Sequence, residues 1–433
     1  MLFGSSGIRR TYDDTFPLLS MRVGAAAARL AGSGNSIVLG HDSRKTGSLL
    51  CEAFASGCLS NNVSVAYAGL VPTPTVAYAG KDHAASCMIT ASHNPEPDNG
   101  IKLFTKDGSS ISTDSQHQIE ALLTEWSEEN SEENNRYGTW KEQATKYEID
   151  AVTMHMERIL HLCPDVAENI PLILDCGNGA GCSISPALLT KAGAHLHTIN
   201  AQPNYLFARP SEPLESNLPY IPNLIKATQA QAALIHDGDA DRLMAFDDRG
   251  RYIPGDQLLL LFAKYLDAKQ IVTTYDASMV LEEHMEVRRT PVGDAHVSQE
   301  LRKGGTLGGE PSGAWIFPEL SYCPDGPHAA CLLAEIASET KLSKEIDAIP
   351  RYPLLRESFH IKHHHEIMLS LGAASSTDGI RFETEDGWCL IRASGTEPKI
   401  RITAEGRDMK TAKDLLAQGH ERIASAKYAV IHQ

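Results

Sequence analysis

The 433-residue chain is short of positive charge: 39 Lys and Arg stand against 55 Asp and Glu, a formal net charge of −16. That deficit argues against a nucleic-acid-binding surface and against electrostatic docking on anionic lipid, although a local basic site for a small phosphate ligand is compatible with it. Long apolar runs are missing too. The uncharged stretch Ala53–Gly80 is broken by Asn61, Asn62, Pro72 and Pro74, so it predicts buried α/β structure and not a membrane span. The opening residues Met1–Arg10 are Gly/Ser-rich, end in two arginines and lack the apolar core of a secretory signal. The nine cysteines are scattered and form no CxxC pair. This pattern predicts reduced, buried thiols in a cytoplasmic protein and neither a disulfide framework nor a zinc site. No P-loop signature is present, which leaves nucleotide-driven kinase chemistry without support. Against these absences, 42% hydrophobic and 22% charged residues describe an ordinary globular chain long enough for three or four domains.

Short apolar runs alternate with helix-length segments. Ser36–Gly40, Val63–Ala68, Cys87–Thr90, Leu172–Leu174, Leu234–Ile235 and Ile271–Thr273 predict strands that end in turn-forming residues, and Met21–Leu30 and Asp256–Leu266 predict helices. Repeated strand–helix–strand order implies largely parallel sheets covered on both faces, in which ligands collect at the carboxyl ends of the strands. The acidic, amide-rich residues 125–138 predict a solvated loop. Arg242–Gly255 and residues 350–366, the latter with two prolines, predict connectors. Gly379–Glu405 alternates like paired antiparallel strands around a polar loop. The expected fold is α/β: three similar α/β domains with mixed, largely parallel sheets plus a smaller α+β C-terminal domain.

Four loops carry chemistry. Thr90-Ala91-Ser92-His93-Asn94-Pro95 places a serine hydroxyl just past a strand, where it either stabilises a turn or serves as a nucleophile with a base or metal beside it. Asp237-Gly238-Asp239-Ala240-Asp241-Arg242 gathers three carboxylates, which repel one another unless a hard divalent cation sits among them; a solvated acidic turn is the plainer alternative. An EF-hand does not fit, since its sixth position would be Arg242 and its twelfth Asp248. Arg242 could hold a phosphate oxygen. In Gly308-Gly309-Glu310-Pro311-Ser312-Gly313, Glu310 and Ser312 can bond sugar hydroxyls, but the loop alone is no more than a turn. Arg392-Ala393-Ser394-Gly395-Thr396-Glu397-Pro398, with Arg401 beyond it, is either a phosphate cradle or a hairpin turn. Gly177–Gly181 does not complete GxGxxG, so it predicts helix–sheet packing, and His363–His365 predicts solvated surface.

Taken in order, Phe3-Gly4-Ser5-Ser6-Gly7-Ile8-Arg9 and these four loops resemble the α-D-phosphohexomutase superfamily across essentially the whole chain. The resemblance implies four domains around a central cleft: 1–147 with the phosphoserine, 148–246 with the metal loop, 247–350 with the sugar loop, and 351–433 with the phosphate loop. It implies that Ser92 carries a phosphoryl group and that Mg²⁺ is held by it with Asp237, Asp239 and Asp241. Lys102 and Arg9 would then serve acid/base and charge stabilisation. Glu310 and Ser312 would read sugar hydroxyls, and Arg392, Ser394, Gly395, Thr396 and Arg401 would grip the unreacting phosphate. The implied reaction interconverts glucosamine 6-phosphate and glucosamine 1-phosphate through a 1,6-bisphosphate, with glucosamine or glucose 1,6-bisphosphate as activator. Phosphomannomutase/phosphoglucomutase activity is the alternative. The expected partners are small sugar phosphates, with no nucleic acid and no membrane, in a monomer or homodimer. The chain departs from the family pattern at Arg10, at Ala208, and at Ala314, where the family often has His. A phosphatase would need its nucleophilic Asp on an early strand, and a non-catalytic sensor would be expected to have lost Ser92 or an aspartate.

Overall fold

The computed structural model describes residues 2–4, 7–126, 143–373, 379–393 and 398–431. Two compact units emerge, one comprising Met1–Gly255 with Ser312–Ile346, the other Asp256–Pro311 with Asp347–Gln433.

In the first unit, a six-stranded sheet has the order β1 (Ile8–Thr11), β5 (Asp98–Phe104), β4 (Ala85–Ile89), β2 (Ser36–His41), β3 (Ser64–Leu70), β6 (Lys146–Glu148). Its core strands β4, β2 and β3 run parallel, whereas β5 is antiparallel to both β4 and β1, so the sheet is mixed. Strand β2, Ser-Ile-Val-Leu-Gly-His, is buried at its four middle residues, as expected of a central strand covered on both faces. Helices Phe16–Ala31 and Gly47–Ser60 cover one face together. They approach closely because Gly24 and Gly57 carry no side chain: a Cβ at Gly57 would lie 2.0 Å from the Met21 carbonyl oxygen. Phe16, Phe54, Leu39 and Ile89 lie in the core beneath.

A second sheet follows in the order β11 (Tyr252–Ile253), β10 (Leu243–Phe246), β9 (Ala232–His236), β7 (Pro171–Asp175), β8 (His195–Ile199). Here β7 is parallel to β8 and β9, and β10 returns antiparallel to β9 and pairs β11. The segment Arg242–Gly255, expected as a connector, is therefore a hairpin that completes this sheet. It turns through Asp247-Asp248-Arg249-Gly250, with Gly250 at φ +77° and its N–H donating to the Asp247 carbonyl. Helix Gly326–Glu339 also belongs to the first unit, capped by Asp325, whose carboxylate accepts from the His328 N–H.

In the second unit, β12 (Gln270–Thr274) pairs in parallel with β13 (Glu286–Thr290) and with the short β14 (Gly308–Gly309). The C-terminal sheet is antiparallel, ordered Leu354–His360, Lys399–Gly406, Gly387–Ala393, Ile380–Thr384, and the long helix Met409–Ile431 covers it. Residues 350–366 are thus more than a connector. Leu354–His360 forms an edge strand and His364–Ser370 a helix, built from residues exposed enough to hide any apolar alternation. The alternation seen in Gly379–Glu405 corresponds to three strands of this sheet; most of the acidic loop expected at 125–138 lies outside the described residues. Three of the four sheets are thus mixed or contain parallel strands in α/β order, and the C-terminal sheet with its helices is a smaller α+β layer. All nine cysteines are free, eight of them buried. No helix among the described residues is long and apolar enough to cross a membrane.

Candidate active site

The site is built where two strand ends meet. Strand β4 stops at Ile89, and the chain turns through residues 90–97 before returning as β5. Ser92, 1% exposed, sits in this turn at φ +53°, a left-handed conformation that costs a non-glycine residue about 1–2 kcal/mol and persists only where neighbours fix it. The Ser92 N–H donates to Thr90 Oγ1 at 2.8 Å, and Thr90 Oγ1 donates to Asp42 Oδ2 at 2.6 Å. Arg44 is ion-paired with the same carboxylate at 3.0 Å and donates to the carbonyl oxygens of Ser92, Asn94, Pro95 and Asp98 at 2.5–2.8 Å.

The acidic loop enters from the second sheet, in the turn between β9 and β10. Gly238 makes the approach possible, since a Cβ there would lie 2.7 Å from both the Ser92 carbonyl oxygen and Ser211 Oγ. Asp237, Asp239 and Asp241 are all buried, with one oxygen of each lying within 4.8 Å of the others. Ser92 Oγ donates to Asp237 Oδ2 at 3.1 Å. Lys102, carried in on β5, donates to Asp239 Oδ2 at 2.7 Å and to Asp241 Oδ2 at 2.8 Å. Thr73 fixes Asp239 twice, its Oγ1 donating to Oδ2 at 2.6 Å and its N–H to the backbone carbonyl at 3.0 Å.

Electrostatics follow from this packing. Burial works against the Lys102 ammonium, but Asp239 and Asp241 outweigh it and hold the lysine well above its ordinary value. Burial also opposes ionisation of Asp239, yet Lys102 draws that carboxyl below the usual range. Asp237 is raised, by burial first and then by Asp241 and Asp239, and Asp241 is raised by burial and by Asp239. Lys102, Arg242 and Arg9 act on the triad, yet Asp237 and Asp241 stay raised, and Asp239 Oδ1 and Asp241 Oδ1 are buried without a hydrogen-bond partner among the described residues. Oxygen ligands, clustered and under-neutralised, are what a hard divalent cation requires, so the triad fits a metal ion. His93 is driven down to about 2, chiefly by burial and then by Arg242 and Arg9, so its imidazole is neutral beside Ser92.

Arg9 lies on β1 opposite Gly100 of β5, within electrostatic reach of Lys102 and Asp239. Arg242 pairs with Glu212 at 3.5 Å, and its backbone bridges to Ala314, the position of the family's frequent His. Ser312 Oγ, in this same unit, is buried without a partner among the described residues. In the second unit, Glu310 accepts from the Gly293 N–H at 2.8 Å and is 9% exposed. Arg392 and Arg401 stand opposite each other on paired strands. Burial lowers the Arg392 guanidinium from its ordinary value, with Asp276 and Glu310 acting against that shift. Ser394, Gly395 and Thr396 lie outside the described residues.

The sequence motifs omit several residues that fix this geometry. Asp42 and Arg44 follow β2 as Asp-x-Arg at a strand's carboxyl end, and Thr73 follows Pro72 at a helix start. Arg209 holds the second sheet's loops, donating to Asp175 Oδ2 at 3.1 Å and to the His236 carbonyl at 2.6 Å. The Gly177–Gly181 segment has a packing role near the site: the Ala180 N–H donates to the Gly238 carbonyl at 2.8 Å.

Family models match in sequence order: phosphoglucomutase/phosphomannomutase alpha/beta/alpha domain I over residues 1–130, domain II over 153–250, domain III over 254–352 and the C-terminal domain over 355–420. A protein of Methanocella arvoryzae named "Probable phosphoglucosamine mutase" is 40% identical over 98% of this chain and 98% of its own. A phosphoglucomutase/phosphomannomutase family protein from Burkholderia thailandensis superposes with a TM-score of 0.85 at 24% identity, covering 98% of this chain and 97% of that one. An N-acetylphosphoglucosamine mutase of Aspergillus fumigatus, solved with GlcNAc-6P and magnesium, gives a TM-score of 0.59 at 15% identity over 98% and 96%. With four matched domains and near-complete coverage by a 40% identical relative, the chain belongs to the phosphoglucomutase/phosphomannomutase family of α-D-phosphohexomutases.

Proposed function

We propose that this chain is a phosphohexomutase that interconverts glucosamine 6-phosphate and glucosamine 1-phosphate. The observation that carries the reading is the buried Ser92 hydroxyl, donating to one aspartate of an under-neutralised triad whose other two aspartates hold Lys102. The full-length relative's name supports the amino sugar. Ser92 carries a phosphoryl group in the resting enzyme. Its O–P bond breaks as a P–O bond forms to the free hydroxyl of the sugar monophosphate, giving a 1,6-bisphosphate, and the proton that hydroxyl loses is balanced by the one Ser92 Oγ gains. The bisphosphate turns over and returns its other phosphate to Ser92. Lys102, held charged by its two carboxylates, and Arg9 supply acid catalysis and charge stabilisation at the oxygens that change partners. Asp237, Asp239 and Asp241 hold Mg²⁺, and that ion, when bound, supplies neutralisation of the phosphoryl charge.

Arg242 contacts the transferring phosphate, Glu310 and Ser312 contact sugar hydroxyls, and Arg392, Ser394, Gly395, Thr396 and Arg401 grip the distal phosphate. One clamp then serves both orientations of the bisphosphate. The domain limits proposed are 1–147, 148–246, 247–350 and 351–433. Glucosamine or glucose 1,6-bisphosphate is the activator, and the enzyme works in the cytoplasm as a monomer or homodimer. The test is a panel of glucosamine, glucose and mannose 6-phosphates with Mg²⁺ and trace bisphosphate, comparing wild type with Ser92→Ala. Glucosamine 6-phosphate is expected to give the highest kcat/KM, with Ser92→Ala inactive. A preference for glucose or mannose phosphate would favour the phosphomannomutase/phosphoglucomutase reading and keep the mechanism.

A further inference from the structure

Arg44 is 3% exposed and spends every N–H of its guanidinium around the serine loop. Nε donates to Asp42 Oδ2 at 3.0 Å, Nη1 to the Pro95 and Asp98 carbonyls at 2.5 and 2.8 Å, and Nη2 to the Ser92 and Asn94 carbonyls at 2.8 and 2.6 Å. These five bonds use all five donors of a planar fork, an arrangement a lysine ammonium cannot reproduce. The Phe207 ring covers the guanidinium, its centroid 5.3 Å from Cζ. Asp42 extends the bracket on the other side of the serine, accepting from Thr90 Oγ1, which itself accepts from the Ser92 N–H. The amide nitrogen and the carbonyl oxygen of Ser92 are therefore both anchored to one buried Asp42–Arg44 pair. This anchoring keeps the residue at φ +53° with Oγ turned to Asp237.

We propose that Arg44 is a positioning residue for phosphoryl transfer. It touches no substrate, and it sets the aim of the Ser92 hydroxyl by fixing the serine-loop carbonyls from behind. The inference rests on the mutase reading for its kinetic consequence, and on the loop geometry alone for its structural one.

Arg44→Lys keeps the cation beside Asp42 and loses the fork. Thr90→Val is nearly isosteric and removes only the Ser92 N–H acceptor and the bond to Asp42, so it carries the same test should Arg44→Lys fail to fold. Two readouts are taken on wild type, both variants and Ser92→Ala. The first is steady-state kcat and KM with glucosamine 6-phosphate, Mg²⁺ and glucose 1,6-bisphosphate. The second is amide deuterium uptake across residues 90–98. The expected result is a kcat about 100-fold lower in Arg44→Lys and about 10-fold lower in Thr90→Val, roughly 2.7 and 1.4 kcal/mol of barrier, with KM changed less than threefold. Faster exchange should be confined to the serine loop. Wild-type kcat in a folded Arg44→Lys, a loss confined to KM, or unchanged loop exchange would overturn the proposal. Failure of the mutase reading would appear separately, as equal turnover by wild type and Ser92→Ala, and the exchange data would still decide what Arg44 does to the loop.

Discussion

Lys102 is 5% exposed and donates to two carboxylates, Asp239 and Asp241. Lys102→Met removes the ammonium that offsets Asp239 and Asp241 and the proposed general acid, so kcat should fall about 10²–10⁴-fold. Lys102→Arg should recover part of that loss, since it restores charge without the same reach. Asp239→Asn acts differently. It keeps the shape and an acceptor for the Thr73 hydroxyl but removes a ligand charge, so binding of Mg²⁺ or Mn²⁺, followed by calorimetry, should weaken by at least the roughly 10–100-fold that losing an outer-shell group costs. At this scale the sequence was informative where side chains do the chemistry. Ser92 and the three aspartates stand in loops that follow apolar strands, where such groups gather, and Lys102 lies on the strand that leaves the serine loop. Arg44 and Thr73 stand outside the motifs and Thr90 shows no role within one, because Arg44 works through backbone carbonyls and each threonine through bonds that exist only in the folded loop. The carbonyls of a serine and of residues two, three and six past it look like any others in a sequence, and only the folded loop shows these four converging on one guanidinium.

Between elements, the approach of the metal loop to its neighbours depends on missing side chains. A Cβ on Gly179 would lie 2.4 Å from the Gly238 carbonyl oxygen, too close for either backbone to stay in place. Gly179→Ala should therefore displace the Asp237–Asp241 turn, destabilising the protein by about 1–3 kcal/mol as overpacking does, and lower metal affinity although no ligand has changed. Denaturant unfolding and metal titration would separate the two effects. Elements were legible where both faces are buried: Ser36–His41 and Gln270–Thr274 extend the runs Ser36–Gly40 and Ile271–Thr273 by one or two residues. Leu354–His360 was not, because an edge strand with three consecutive exposed residues, Arg356, Glu357 and Ser358, carries no period-two signal. The hairpin after Phe246 had its turn signal in Asp-Asp-Arg-Gly, but two-residue β11 is too short to announce itself.

At the scale of the whole molecule, pH acts on stability through acids held away from water, outside the serine loop as well as beside it. Asp256, in the second unit, is pushed up to about 6 by burial, against the Ser278 N–H that donates to it at 2.7 Å. Its folded value lies above the ordinary 3.8, so protonation favours the folded state. The stability it contributes is fully present below about 3.8 and is lost as pH rises through about 6. Asp256→Asn retains an acceptor for Ser278 and cannot ionise, so it should raise the unfolding midpoint at pH 7–8 and leave it unchanged near pH 3.5, read by thermal melts across that range. The order of four motifs along one chain made the family and its domain count readable before any coordinates, whereas the division into two compact units depends on which helices pack where, Gly326–Glu339 among them. The central claim concerns one oxygen atom, Ser92 Oγ. Its most direct test is mass spectrometry of protein incubated with glucose 1,6-bisphosphate and Mg²⁺, followed by a chase with glucosamine 6-phosphate. One phosphoryl group is expected on the peptide containing Ser92, removed by the chase as bisphosphate appears, and none in Ser92→Ala. An unmodified Ser92 in protein that turns substrate over, or full turnover by Ser92→Ala, would contradict it.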